Sequence, residues 1–228
     1  MTTYFGKRLI SRSGAAFAAA VALFSVSAGP AHAHPHVWVD GGVDFVLGEG
    51  ATLESIEVTW LYDEFETLYT LSAAGLAIDE TGSLTEEDRL ALVALLSDWP
   101  DDFDGSAHLS HGDHPVSLGW PADLDVQMID GRLQITFARD LVAPFDLMAR
   151  PLDVGFYEST YFFAFSITNA PRLIGDAGNC AAHVIPFEME ESGLLDLQAT
   201  LYDLGREETP MIDNVGALFA DRIRVQCA

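Results

Sequence analysis

The pattern of apolar and polar positions predicts that strands make up most of this chain. Nine segments alternate or are rich in β-branched and aromatic side chains, as strands are. They are residues 36–47, 53–62, 116–120, 125–129, 132–138, 152–157, 161–168, 181–187 and 223–227. Turn residues between neighbouring segments predict three hairpins, across residues 48–50, at Asp130-Gly131 and across residues 158–160.

Helical spacing is found in four further segments. They are residues 63–76, 85–99, 194–204 and 214–220. Thr85 and Asp88 resemble a capping box at the start of the second one. Because hairpins dominate and strands do not alternate regularly with helices, we predict an α+β fold. It has a mostly antiparallel sheet built from hairpins, with several packed helices.

The first 33 residues have the pattern of a secretory signal peptide. A basic start at residues 7–12 precedes an apolar run at residues 15–24, and small residues lead to Ala31-His32-Ala33. This predicts cleavage after Ala33, with a cut after Ala28 as the alternative. The arginines of the basic start are not adjacent, so we expect the general secretory route. We therefore predict a periplasmic protein in which residues 34–228 form a single domain.

The net charge of the chain favours some kinds of partner and argues against others. The chain has 35 acidic and 11 basic residues, a formal net charge of −24 and 49% hydrophobic residues. The apolar content excludes a disordered acidic tail, and the lack of a basic footprint argues against nucleic acid. Cleavage after Ala33 would remove three basic residues, which takes the net charge to −27 and leaves no lysine. No later apolar run is long enough to span a membrane. Cations, including metal ions, are the natural candidate partners for a chain with this negative charge.

The new N-terminus would carry a candidate metal site. His34, His36 and Asp40 lie on one face of an extended segment, and two imidazoles at this spacing can converge on one ion. Pro35 has no amide proton, which excludes the usual amino-terminal copper or nickel chelate. The alternative is a frayed, solvated terminus.

A second group of histidines lies in a polar segment at residues 101–115, which we predict to be an exposed loop. His108, His111 and His114 alternate there with acidic residues. When such a loop folds around a divalent ion, these side chains chelate it. We treat them as an auxiliary metal site, with a solvated loop as the alternative.

The segment 77–88 has the outline of a calcium-binding EF-hand loop. Asp79, Thr81 and Asp88 occupy ligand positions, but Ala77 stands where a carboxylate is needed and Asp88 replaces the bidentate glutamate. We expect a degraded loop that keeps the turn, so calcium is an unlikely ligand.

The two cysteines fit an exported protein. An even pair in an oxidising compartment predicts a Cys180–Cys227 disulfide, and the rival interpretation is a pair of metal thiolates. No nucleophile elbow, phosphate-binding loop or zinc-protease helix motif occurs. We therefore do not expect an enzyme.

Four segments resemble an uncharacterised family of exported bacterial proteins. They are residues 34–40, 59–65, 79–88 and 157–161. The family is classed as a domain of unknown function and often labelled an uncharacterised ABC-type transport system periplasmic component. Its members resemble nearly all of the mature chain, including a cysteine near Cys180, although Ala77 departs from the family pattern. They tend to be encoded beside nickel/cobalt-type efflux permeases, which implies a periplasmic role in handling divalent metals.

These observations predict a periplasmic accessory protein that binds zinc, nickel, cobalt or copper and acts with a metal-ion permease. One alternative is a copper enzyme that grips the metal with its N-terminal histidine and a second histidine, His111 or His183. The other is an adaptor that docks a permease and binds no metal.

Overall fold

Strands account for 47% of the described residues and helices for 17%. The computed structural model describes residues 35–100, 103, 105–189, 193, 195, 199, 201 and 212–228. The predicted α+β class with several packed helices is wrong, because the structure is a mostly β, sandwich-like fold of two sheets. The described residues belong to a single compact unit.

Eleven strands form the two sheets in this part of the chain. In chain order they are β1 (Val37–Gly48), β2 (Thr52–Tyr62), β3 (Ala107–His111), β4 (His114–Val116), β5 (Ala122–Ile129), β6 (Arg132–Asp146), β7 (Leu152–Phe156), β8 (Phe163–Ile167), β9 (Leu173–Gly175), β10 (Cys180–Ile185) and β11 (Asp221–Cys227). The first sheet has the order β5-β6-β2-β1-β8, and β9 also pairs with β1. The second sheet has the order β10-β11-β7-β3-β4. Neighbouring strands are antiparallel, except that β8 and β9 run parallel to β1.

Two of the three predicted hairpins are confirmed. β1 and β2 pair as antiparallel neighbours, with Gly48 opposite Thr52. β5 and β6 pair up to Ile129 and Arg132. Between them Asp130 and Gly131 both have positive φ angles, 50° and 79°, as a two-residue type I′ turn requires.

The third predicted hairpin is wrong, because β7 and β8 lie in different sheets. Between them Glu158 forms the centre of a tight loop. Its carboxylate accepts hydrogen bonds from the backbone N–H groups of Thr160 (2.7 Å) and Phe162 (2.9 Å), and Tyr161 takes a left-handed φ of 62°. This loop carries the chain from the second sheet to the first.

The first two predicted helices are confirmed as α1 (Glu64–Ala73) and α2 (Glu86–Leu96). Asp63 caps α1 and Thr85 caps α2. The predicted helix at 214–220 is a short 3-10 helix, Val215–Phe219, and the one at 194–204 lies largely outside the described residues. No described helix has the length and apolar character needed to cross a membrane.

The core joins the inward faces of both sheets. Phe45 and Ile56 of the first sheet and Phe156 and Ile223 of the second are fully buried in one apolar cluster. The ring of Phe156 lies 4.9 Å from that of Phe165 on β8. The buried positions of β1, β2, β6, β7 and β11 therefore face one shared interior.

Polar contacts also cross between the sheets. The Asp221 carboxylate at the start of β11 accepts hydrogen bonds from the backbone N–H groups of Ile167 (2.9 Å) and Phe187 (2.8 Å). The Trp60 indole N–H donates to the Ser106 hydroxyl at 2.7 Å, and this pair is buried. These contacts satisfy groups that would otherwise be costly to bury.

Candidate metal-binding site

The predicted terminal site is described only in part. His34 lies outside the described residues. The backbone N–H of His36 donates to the Phe162 carbonyl at 2.9 Å, and its ring lies 5.0 Å from the Phe162 ring. His36 is therefore positioned by the segment that leads into β8.

Asp40 is engaged with an arginine in this structure. Arg132 donates to the Asp40 carboxylate at 2.8 Å and also to the backbone carbonyls of Leu61 and Tyr62. An extended chain rises about 3.3 Å per residue, which separates His36 from Asp40 by about 13 Å. The structure does not bring these two side chains together.

His108 is separated from the other two histidines of its segment. The segment is a hairpin of β3 and β4 rather than the predicted loop, and residues three apart on a strand point to opposite faces. The His108 ring stacks on Tyr157 at 3.9 Å. Its Nε2 lies 3.1 Å from the Tyr157 carbonyl, so Nε2–H is the donor.

His111 and His114 are brought together by the same hairpin. They are registered partners at the end of the β3–β4 pair, joined by Gly112 and Asp113, and Gly112 has a φ of 56°. Directly opposed residues have Cβ atoms about 4.5–5.5 Å apart. At this separation both imidazoles can reach one ion with bonds of about 2.0–2.1 Å.

The His111 ring is oriented by a backbone carbonyl. Its Nδ1 lies 2.9 Å from the Pro151 carbonyl oxygen. A carbonyl oxygen only accepts, so Nδ1–H is the donor and Nε2 carries the lone pair in the neutral ring. Metal-binding histidines usually have this arrangement, with one nitrogen on a carbonyl and the other on the metal.

Both rings line an open cleft of about 330 Å³ between the β3–β4 hairpin and the far end of β6. Residues 142–145 and Arg150 form the opposite wall. The Arg150 guanidinium lies 4.7 Å above the Phe145 ring, and its charge opposes a cation in the cleft. Asp113 lines a different cleft, together with His108.

The structure offers this site two nitrogen ligands. Within the described ranges, no group of three or more histidine, cysteine, aspartate or glutamate side chains is arranged to hold a metal ion. An ion held by His111 and His114 would therefore keep open coordination positions, filled by water or by ligands from another molecule.

The carboxylates of the EF-hand-like segment are used by local turns. Asp79 accepts hydrogen bonds from the N–H (2.8 Å) and hydroxyl (2.6 Å) of Thr81 and from the N–H of Ser83 (3.1 Å). These bonds lower the pKa of the Asp79 carboxyl. Asp88 accepts from the Thr85 hydroxyl at 2.8 Å, which is a helix-cap contact. The segment builds a turn and a helix start.

The predicted disulfide is confirmed. Cys180 and Cys227 are bonded and are also registered partners at the end of the β10–β11 pair. The alternative of a metal thiolate pair is wrong, since both sulfurs are used by this bond. A disulfide is consistent with an exported protein.

The structure also has a second cleft, which the sequence does not predict. It is a cleft of about 350 Å³ lined by aromatic rings, together with Ser106 and the loop at residues 158–160. The rings are those of Trp60, Trp99, Phe103, Phe163 and Phe165. They come from separate parts of the chain, so no local pattern predicts that they share a wall.

The fold defines a two-sheet β protein with an open pair of histidines at one edge. A family model described as "Protein of unknown function (DUF1007)" matches residues 19–227, and the chain belongs to that family. The predicted resemblance to an uncharacterised family is confirmed at this level.

Neither the curated proteins nor the solved structures indicate a function for this chain. None of the curated proteins matches this chain. Among solved structures, AChBP from Bulinus truncatus is similar with a TM-score of 0.38 and 12% identity, over 89% of this chain and 91% of that one. Values this low do not indicate a shared function.

Proposed function

We propose that this protein is an exported, periplasmic binding protein for a divalent transition metal: zinc, nickel, cobalt or copper. The observation that carries the proposal is the registered pair of His111 and His114 in one open cleft. The acidic surface favours cations near the protein. A metal-ion permease as partner is implied by the family resemblance and is part of the proposal.

Two imidazoles and open positions suit temporary binding. The His111 Nδ1–H donates to the Pro151 carbonyl, so Nε2 carries the free lone pair and would bind an ion without first reorienting the ring. Such a site exchanges its metal more readily than a closed four-ligand site. In vitro affinity should be highest for copper, whichever metal is carried in the cell.

Titration calorimetry with each of the four metals tests the proposal. We expect a His111→Ala/His114→Ala variant to bind at least about tenfold more weakly than the parent. A His108→Ala/His183→Ala variant is the matched control, since His108 lies on Tyr157 and His183 on edge strand β10.

The outcomes separate the two histidine pairs. If His111→Ala/His114→Ala binds as tightly as the parent, the hairpin site is wrong. A His34→Ala/His36→Ala variant then tests the terminal pair. No heat with any of the four metals overturns metal binding altogether and favours the adaptor.

One observation favours the adaptor as the second candidate. The outer face of α1 exposes Phe65, Leu68 and Tyr69, whose exposed fractions are 74%, 67% and 61%. Residues three and four apart lie side by side on a helix. They therefore form an apolar stripe of the kind that marks protein contacts.

A further inference from the structure

The aromatic cleft has the walls of a ligand site. The Trp60 ring lies 5.9 Å from that of Trp99 and 5.7 Å from that of Phe165. Trp99 also lies 4.4 Å from Phe103. Trp60 is nearly buried, whereas Trp99, Phe103 and Phe165 are half-buried, so they present ring surface to the opening.

Glu158 places a negative charge at this cleft. Its carboxylate accepts hydrogen bonds from the N–H (2.7 Å) and hydroxyl (2.9 Å) of Thr160 and from the N–H of Phe162 (2.9 Å). All of these donors are neutral, so they orient the carboxylate without cancelling its charge. The ion pairs found among the described residues do not include Glu158.

A positive charge lies behind the same wall. The Arg139 guanidinium is 5.7 Å from the centre of the Phe103 ring, and Arg139 is only 8% exposed. Its Nε–H donates to the Gly119 carbonyl at 3.0 Å. Among the described residues, Glu158 and the aromatic side chains line the cleft, whereas Arg139 does not.

We propose that this cleft binds a small organic cation, an alkyl- or arylammonium ion. The faces of tryptophan and phenylalanine rings carry negative potential and attract cations. The Glu158 carboxylate adds to this attraction, and the strongly negative net charge of the chain raises the local concentration of cations. The volume of about 350 Å³ accommodates one substituted ring or a short alkyl chain.

Three probes of nearly equal shape test the proposal: benzylammonium, benzyl alcohol and benzoate. Binding is measured on the purified protein by tryptophan fluorescence and NMR, with EDTA present so that metal binding has no influence. We expect benzylammonium to bind at least about fivefold more tightly than benzyl alcohol, and benzoate to bind most weakly. Added salt should weaken only the binding of benzylammonium.

Three other binding results would overturn the proposal. Equal binding of benzylammonium and benzyl alcohol would show a merely apolar cleft. Tighter binding of benzoate would show that the cleft prefers anions. If no probe binds, the cleft is not a ligand site.

Substitutions place the probe in the cleft. Trp99→Leu should weaken benzylammonium binding at least about fivefold, whereas Trp38→Leu, a control at an exposed tryptophan outside the cleft, should not. Glu158→Gln should lower the preference for benzylammonium over benzyl alcohol. A preference unchanged in Glu158→Gln, or equal effects of Trp99→Leu and Trp38→Leu, would contradict the assignment. Thermal unfolding of each variant shows whether it is folded.

Discussion

At the residue scale, Glu66 shows how its surroundings change one carboxyl group. The side chain is half-buried in the first turn of α1. Burial raises its pKa, and the neighbouring Asp63 raises it further, while the hydrogen bond from the Thr70 hydroxyl lowers it. The charged form of Glu66 is therefore less favourable in the folded protein than in the unfolded chain.

The sign of the pH dependence follows from this shift. Because the folded pKa lies above the unfolded value of about 4.3, folding favours the protonated form. The stability that Glu66 contributes is complete below the unfolded pKa. It is lost as the pH rises through the folded pKa.

We predict that Glu66→Gln raises the free energy of unfolding at pH 7 and leaves it nearly unchanged at pH 4. Urea denaturation across this pH range measures the difference. Glu87→Gln is the control, at an exposed first-turn position of α2, and loses only a small helix-dipole contribution. A Glu66→Gln protein that is less stable than the parent at pH 7 would contradict the shift.

At the scale of elements, Asp63 joins a helix to the first sheet. One carboxylate oxygen accepts from the Glu66 N–H at 2.8 Å and caps α1. The other accepts from the Trp38 N–H on β1 at 2.9 Å, and the Asp63 N–H donates to the Trp38 carbonyl at 3.0 Å. The Asp63 side chain thus joins the start of α1 to the start of β1, directly after β2 ends at Tyr62.

We predict that Asp63→Ala costs about 2–3 kcal/mol of stability, because it removes a cap and a second backbone contact. Thr85→Ala in α2 is the matched control and should cost about 1 kcal/mol, since Thr85 only caps its own helix. Chemical denaturation gives both values. Equal losses would show that the contact with Trp38 contributes nothing.

Local signals account for the elements that the sequence predicts well. Asp130-Gly131 forces a two-residue turn, and Asp63 and Thr85 mark where the helices begin. The wrong predictions concern the pairing of strands that lie far apart in the chain. β8 follows β7 in the chain but pairs with β1, and no local pattern encodes that choice.

The sequence also underestimates the length of β6, for a related reason. β6 runs on to Asp146 beyond the predicted end at residue 138. The register between β2 and β6 shifts opposite residues 53–55, and an irregularity of this kind interrupts the alternation that predicts a strand.

The candidate site was predicted by residue type and not by geometry. The sequence predicts His111 and His114 as ligands within a loop, but they lie opposite each other because β3 and β4 form a hairpin. His108 is of the same type and only three residues away, yet the alternation of side chains along β3 points it to Tyr157.

At the scale of the whole molecule, the disulfide joins β11 to β10, the edge strand of the second sheet. Cys227 is the last residue of β11, and β11 lies between β7 and β10. The bond closes a loop with a sequence separation of 47. In the chain-entropy treatment, such a loop contributes about 4 kcal/mol by restricting the unfolded chain.

We predict that Cys180→Ser/Cys227→Ser lowers the free energy of unfolding by about 3–4 kcal/mol without changing the fold. Denaturation of the variant, compared with the parent under oxidising and reducing conditions, measures the effect. The reduced parent should match the variant. A variant as stable as the oxidised parent would show that strain in the folded state cancels the gain.

The parallel pairing of β8 with β1 sets an order of events in time. β1 and β2 are neighbours in the chain, so they can pair early in folding as a hairpin. The other edge of β1 takes Phe163 opposite Val37, so it stays open until β8, which lies far along the chain, arrives. Contacts of this range slow folding and leave an unpaired strand edge exposed meanwhile. Until β8 arrives, this edge of β1 is therefore open to pairing with a strand of another chain, which is a route to aggregation.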